Sequence, residues 1–312
     1  MSAQASEDSV NKPGVALRLA IALVASGGAW CAVMADPAAA TVAPVPVAAP
    51  APASAPAPAP AIAEAPCQRA SGDAHNYLAD TQVDAMALIG PPPAADSAAQ
   101  RADLQAVLAA QHRARAEHSL ARAIADAEIS CARVAAAAGE FHDQAAAASA
   151  LAFLDRAALQ GARFTGPAKR YWHRARPYLV SAKVERLGDV APNAPLPENP
   201  GGSAAYREQR DHTGYPSGHA AFGLSCAILL ARMVPERSRE LYQRGLLFGD
   251  SRVAIGAHFP SDVVAGRMIA VATTALLQAN PCFEADFAPA RSSLRQALGL
   301  PAALPPRPET AP

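Results

Sequence analysis

Aromatic side chains make up only 5% of this 312-residue chain, and charged ones only 17%. Neither sign of charge is in excess: 27 Lys and Arg stand against 27 Asp and Glu. That balance argues against a generic nucleic-acid binder, which carries a basic excess. No C-x-x-C pair occurs among the 5 cysteines, which argues against a zinc ribbon or a thioredoxin-like site. No stretch sustains period-two alternation and no internal repeat is present, so neither a sheet protein nor a solenoid is indicated. What is abundant is apolar residues, 51% of the chain, many of them Ala. Alanine loses no side-chain entropy in a helix, so a core rich in it favours an all-α architecture.

The ends differ from the middle. Lys12 and Arg18 precede an apolar run from Leu19 to Ala35, and Val33-Met34-Ala35 offers small residues for cleavage. Residues 1–35 are therefore expected to be a secretory signal. The run is short and rich in small residues for a membrane span, and bulky Trp30 before Cys31 does not suit a lipoprotein site. Residues 36–66 are almost wholly Ala, Pro and Val, which suits an extended linker rather than a packed unit. A single domain is expected over 67–299, followed by a Pro-rich tail over 300–312. The mature domain would retain Cys67, Cys131, Cys226 and Cys282, enough for two disulfides with three connectivities. Cys226 lies in an apolar run and suits a buried free thiol equally well.

Apolar spacing predicts helices over 98–138, with Ser97 as N-cap, and over 145–159. A further one is expected over 169–183, interrupted around Pro177. Others follow over 217–234 and 237–252, the latter with a kink near Gly245 or Gly249. The last long helix is expected over 262–279, with Ser261 as cap and Pro281 as stop. The two most apolar of these helices look too short and too often interrupted by polar residues to span a bilayer. Residues 188–214 read as a long loop.

Three polar clusters sit at the edges of these apolar helices. The first is Lys169, Arg174, Arg176 and Pro177; the second is Tyr215-Pro216-Ser217-Gly218-His219; the third is Ser251-Arg252, His258 and Asp262. Each alone has a bland explanation: a solvated basic face, a helix cap, a surface His–Asp pair. Together they describe an oxyanion site. The first-turn amides at Ser217-Gly218 lack internal partners and suit a phosphate-like anion, and His219 at its rim can give a proton to a leaving oxygen. Asp262, four residues after His258, can fix one imidazole nitrogen and leave the other as nucleophile. Lys169, Arg176 and Arg252 supply positive charge for the same anion.

The order Lys169-x6-Arg176-Pro177, Pro216-Ser217-Gly218-His219 and Ser251-Arg252-x5-His258-x3-Asp262 resembles the complete three-part signature of the type 2 phosphatidic acid phosphatase (PAP2) superfamily. Gly90-Pro91-Pro92-Pro93 with Ser97, and Gly249-Asp250-Ser251-Arg252, are similar to its bacterial class A nonspecific acid phosphatases. The resemblance implies a single helical-bundle domain, as in that superfamily and the vanadium haloperoxidases. It also implies a periplasmic or secreted acid phosphatase acting on small phosphate esters, without cofactor or metal. His258 would form a phosphohistidine, Asp262 would orient it and His219 would serve as acid and then base. Lys169, Arg176, Ser217, Gly218 and Arg252 would bind the phosphoryl oxygens. Ala220 departs from the Thr that many relatives carry after His219, and the 184–214 connection is enlarged. The same signature also suits a vanadium-dependent haloperoxidase, a lipid or polyprenyl pyrophosphate phosphatase, or a catalytically dead binding protein. The roughly 230-residue domain and the full residue set favour the phosphatase. No nucleic acid and no stable membrane insertion are expected once the signal is removed, and a homo-oligomer is compatible with the sequence. His142-Asp143 resembles the metal-binding His-Asp pair of another phosphohydrolase class, which needs further His and Asp ligands in a set order. His173 and His212 flank the site in sequence, His75, His112 and His118 read as surface residues, and Trp172 and Tyr178 are expected to pack beneath the Lys169 segment.

Overall fold

The computed structural model describes residues 76–187 and 211–304. The signal segment, the Ala/Pro linker, Cys67, His75, the tail beyond 304 and residues 188–210 of the long connection lie outside the described residues. Within them the fold is all-α, with no strand. The helices are α1 (Ala85–Ile89), α2 (Ala98–Ala116), α3 (Leu120–Ala125), α4 (Ala132–Ala135), α5 (Gln144–Ala162) and α6 (Thr165–Trp172). They continue as α7 (Pro177–Val180), α8 (Gly218–Met233), α9 (Ser238–Ala254), α10 (Pro260–Gln278) and α11 (Pro281–Ala297).

Helix α8 is the axis of the bundle. Its run Ala220–Ala227 is buried, as are Leu229, Leu230 and Met233, and α4, α5, α9, α10 and α11 pack around it. One large apolar cluster joins Leu154, Phe222, Leu229, Phe248, Ile269, Phe283 and Phe287. The α8–α9 crossing is close because both sides are glycine: a side chain at Gly245 would run into Ala227 and the Gly223 carbonyl. Glycine there serves packing, and α9 continues through Gly245 and Gly249 as one uninterrupted helix.

Several expectations need correction. The predicted 98–138 helix breaks twice: His118 adopts φ +53, and residues 126–131 separate α3 from α4. Ile129, one of the apolar residues of that stretch, is 42% exposed. The 169–183 segment leaves the helix at His173 (φ +45), and Pro177 opens α7 at the first helical position rather than interrupting a helix. Phe259, not Ser261, occupies the N-cap of α10, and the Asp262 carboxylate accepts the Phe259 amide. Pro281 stops α10 but also opens α11, capped by Asn280, which the sequence reading missed. Helix α10 has 19 residues and a mean hydropathy of 1.2, so it does reach the length of a span; half of that stretch is buried in the bundle. Ser97 caps α2 as expected, accepting the Gln100 amide at 3.0 Å.

Cys226 is not a free thiol. It is bonded to Cys131, 95 residues earlier, tying α8 to the start of α4. Closing a loop of that length is worth about 4–5 kcal/mol of chain entropy. Cys282 is disulfide-bonded as well. Asp155 approaches the Cys131–Cys226 pair, but the sulfurs are consumed, and its Oδ1 accepts the Cys131 amide at 2.6 Å.

Candidate active site

The three sequence clusters meet at the N-terminal ends of α8 and α10. Ser217 is wholly buried and caps α8, its Oγ accepting the Ala220 amide at 3.3 Å. That leaves the hydroxyl proton available to a ligand. Gly218 and His219 follow in the first turn, where amides have no intrahelical acceptor. The Ser217 amide donates to the Asp262 carbonyl at 2.9 Å, locking the two helix starts together. Tyr215 donates to the carbonyls of Ile89 and Gly90, at 3.2 and 3.1 Å, and so ties this corner to the Gly-Pro-Pro-Pro segment.

Arg252 and His258 are brought together by the turn between α9 and α10. The amides of Ala257 and His258 both donate to the Arg252 carbonyl, at 2.9 and 3.2 Å. Gly256 makes this turn possible with φ +75, a conformation costly for other residues. Its missing side chain also leaves room for the Glu185 carbonyl.

His258 is 2% exposed. Its Nδ1 lies 3.2 Å from Asp262 Oδ2, and that oxygen also accepts the Phe259 amide at 2.8 Å. The other carboxylate oxygen, Oδ1, takes Arg174 Nη1 at 2.5 Å. With an Nδ1 proton held by Asp262, Nε2 carries the lone pair of the ring. It faces Arg176, whose Nη1 is 3.2 Å away and also donates to the Ala257 carbonyl at 2.7 Å. Lys169 reaches the same region from α6, donating to the Thr213 carbonyl at 2.7 Å. Arg252 is 6% exposed. His219 completes the ring with Nε2 3.0 Å from the Ala127 carbonyl and its imidazole stacked over Phe248, centroids 6.1 Å apart.

The electrostatics are those of a crowded cationic cup. Burial, then Arg176, Lys169 and Arg252, hold the His258 imidazole well below its ordinary pKa. Burial and Arg252 pull His219 down to about 3, against the Ala127 carbonyl. Lys169 falls to about 7 through burial and the neighbouring Arg176. Burial raises Asp262 to about 6, opposed chiefly by Arg174. Lys169 and both histidines are held down by neighbouring positive charge, and an anion at the centre would relieve them.

All eight residues expected from the sequence thus lie in one constellation. Arg174 belongs to the basic cluster but not to the eight expected site residues; its position two residues before Arg176 is its only signal in the sequence. The Ala127 carbonyl, 92 residues from His219, left none. His142-Asp143 is a helix start: Asp143 caps α5, accepting the amides of Ala145 and Ala146 at 3.0 Å each. His173 and His212 are exposed, as are His112 and His118. Tyr178 packs with Val107, Val184 and Phe259 and donates to Asp211 at 2.7 Å. Trp172 lies edge-on to Tyr171.

A model of the PAP2 superfamily matches residues 146–280, which include all eight residues. The chain is 38% identical to the "Non-specific acid phosphatase" of Salmonella typhimurium over 136 residues, 44% of this chain and 48% of that protein. It thus spans about half the length of that relative. The "Acid phosphatase" of Zymomonas mobilis is 31% identical over 219 residues, 69% of this chain and 76% of that protein. The match to the "Non-specific acid phosphatase" of Providencia stuartii is 43% over 70 residues, 22% and 28% of the two chains. On that extent of identity, and with the signature residues gathered in one cup, the chain belongs to the PAP2 superfamily, close to its bacterial non-specific acid phosphatases.

Proposed function

We propose that the protein is an exported acid phosphatase that hydrolyses small phosphate monoesters through a phosphohistidine on His258, without a metal. The observation that carries this reading is the orientation of His258: Nδ1 is engaged by Asp262, so Nε2 faces Arg176 among the cations. The phosphoryl group of the ester enters the cup, its oxygens taken by Lys169, Arg176, Arg252, the Ser217 hydroxyl and the first amides of α8. His258 Nε2 attacks phosphorus and the ester P–O bond breaks. His219 delivers a proton to the departing alkoxide. In the second half it takes a proton from water, which attacks phosphorus, breaks the P–N bond and releases inorganic phosphate. The cations meet the charge that develops on the equatorial oxygens, the part played by magnesium in other phosphoryl transfers.

The pKa pattern suits acid. A nucleophilic imidazole must be unprotonated, and burial beside three cations keeps His258 so even in acidic solution. His219 must instead gain a proton, and the arriving anion offsets Arg252, Lys169 and Arg176, three of the causes that hold it down. The acid phosphatase names of the relatives favour this reading over a haloperoxidase or a lipid phosphatase. Export is supported by the Cys131–Cys226 disulfide, a bond that persists in oxidising compartments.

The test is turnover of an aryl phosphate together with mass spectrometry of enzyme quenched at alkaline pH, where the P–N bond of a phosphohistidine survives. Native protein is expected to release phosphate with EDTA present and to carry an added phosphoryl group on the peptide containing His258. His258→Ala is expected to lose turnover. Retained turnover in that variant, or a strict need for added metal, would overturn the proposal.

A further inference from the structure

The contacts of Arg174 extend beyond Asp262, to residues that no signature position includes. Its Nη1 donates both to Asp262 Oδ1, at 2.5 Å, and to Ser261 Oγ, at 2.7 Å. Its Nη2 donates to Gln100 Oε1 at 2.5 Å and to Asp103 Oδ2 at 2.9 Å. Asp103 in turn accepts the hydroxyl and the amide of Ser261. Gln100 and Asp103 are three apart on α2, hence on one face of it, and precede residue 146, where the PAP2 match begins.

We infer that Arg174, held by the Gln100–Asp103 pair of α2, is a positioning residue for Asp262 and thereby for the His258 imidazole. The inference rests on the reading of His258 as nucleophile, and the physical case has three parts. Asp262 is wholly buried, and a buried carboxylate needs a charged partner to stay ionised. Arg174 is that partner; it touches one oxygen, leaving the other to His258 Nδ1 and the Phe259 amide. Finally, Arg174 needs restraint. It sits on a strap between α6 and α7, residues 173–176, pinned through backbone bonds from Gly214 to Arg174 and from Arg176 to Asp211, at 2.9 and 3.0 Å. The strap borders a cavity of about 270 Å³ lined by Pro92, Pro93, Trp172, Val180 and Phe259. A guanidinium bound only to Asp262 would have that space to move into. The planar fork presents separate nitrogens to two carboxylates in a fixed geometry that a lysine's single ammonium does not offer.

The test combines kinetics with ¹⁵N NMR of His258, which reads the tautomer whether or not the enzyme turns over. For Arg174→Met we expect kcat to fall roughly 10- to 100-fold, by analogy with the loss when the partners that orient a metal-bound imidazole are removed. Inhibition by tungstate, an inert oxyanion, is expected to stay as in the native protein. The acid limb of kcat/KM should move to higher pH, because Asp262 loses the cation that favours its ionised form, and the Nδ1–H tautomer of His258 should give way to a mixture. Arg174→Lys should restore the acid limb but not the full rate, and Asp103→Asn should lower kcat less than Arg174→Met. If Arg174→Met does not fold, the Lys and Asn variants carry the same readouts. An unmoved acid limb with an unchanged tautomer would overturn the inference. So would lost tungstate binding in Arg174→Met, which would make Arg174 an oxyanion ligand. Retained turnover in His258→Ala refutes the nucleophile reading instead, and the NMR comparison still decides whether Arg174 sets the imidazole.

Discussion

Two wholly buried aspartates flank the α9–α10 segment, and they differ in what they hold. Asp126 sits just after α3. Both its oxygens face Arg244, Nη1 to Oδ2 at 3.1 Å and Nη2 to Oδ1 at 2.5 Å, and Ser251 Oγ donates to Oδ2 at 2.7 Å. Asp262 has one oxygen on Arg174 and shares the other between an amide and an imidazole. Each carboxylate is buried and each is paired with an arginine. Burial and pairing therefore do not mark the one that serves chemistry. The difference is the third partner: a hydroxyl braces a helix, whereas an imidazole can move between protonation and tautomeric states. Asp126 nonetheless matters to the site indirectly, since the next residue supplies the carbonyl that holds His219.

The comparison is open to three tests. Asp262→Asn should be the most severe, lowering kcat on the order of 10²–10⁴-fold, the upper figure being the loss when the aspartate of a Ser-His-Asp triad becomes an amide. Its melting temperature should change far less than its rate, and turnover near the native value would erase the distinction drawn above. Asp126→Asn should do the reverse. Breaking a buried ion pair from one side costs about 3–5 kcal/mol, read as a lowered denaturation midpoint with the folded fraction still hydrolysing substrate. A stable but inactive Asp126→Asn would move Asp126 into the catalytic group. The smallest effect concerns Lys169, which burial and Arg176 bring to about 7. As pH falls through that value the amine gains a proton and becomes cationic, so tungstate should inhibit more strongly at about pH 6 than at about pH 8. Lys169→Met should flatten that dependence, and an unaltered slope in the variant would assign the titration to another group.

Much of the fold was legible where the reasons are local. Helices α5, α8, α9 and α10 follow from apolar spacing, and the Ser97 cap from its side chain and the run after it. Interruption was harder to see. Alanine is at home in a helix whether or not its neighbours break, so the Ala-rich 98–138 stretch concealed the left-handed turn at His118 and the gap before Cys131. Proline is ambiguous in another way: Pro281 ends one helix and begins the next, because its missing amide is tolerated at the first helical position. The site was legible through residue types at fixed separations. Its supports were not, because Arg174 meets Gln100 and Asp103 across 74 and 71 residues, and His219 meets Ala127 through a carbonyl that every residue carries.

From the residue order alone came the helical class, the histidines, the cations and the carboxylate, since each depends on side-chain type and short-range spacing. Packing decided the rest. The crossing of α8 with α9 and the meeting of two helix starts set which nitrogen of His258 is left facing the cations and which arginine stands behind Asp262. They also joined Cys226 to Cys131. Those outcomes depend on distances between segments far apart in the chain, and such distances exist only after the bundle has closed.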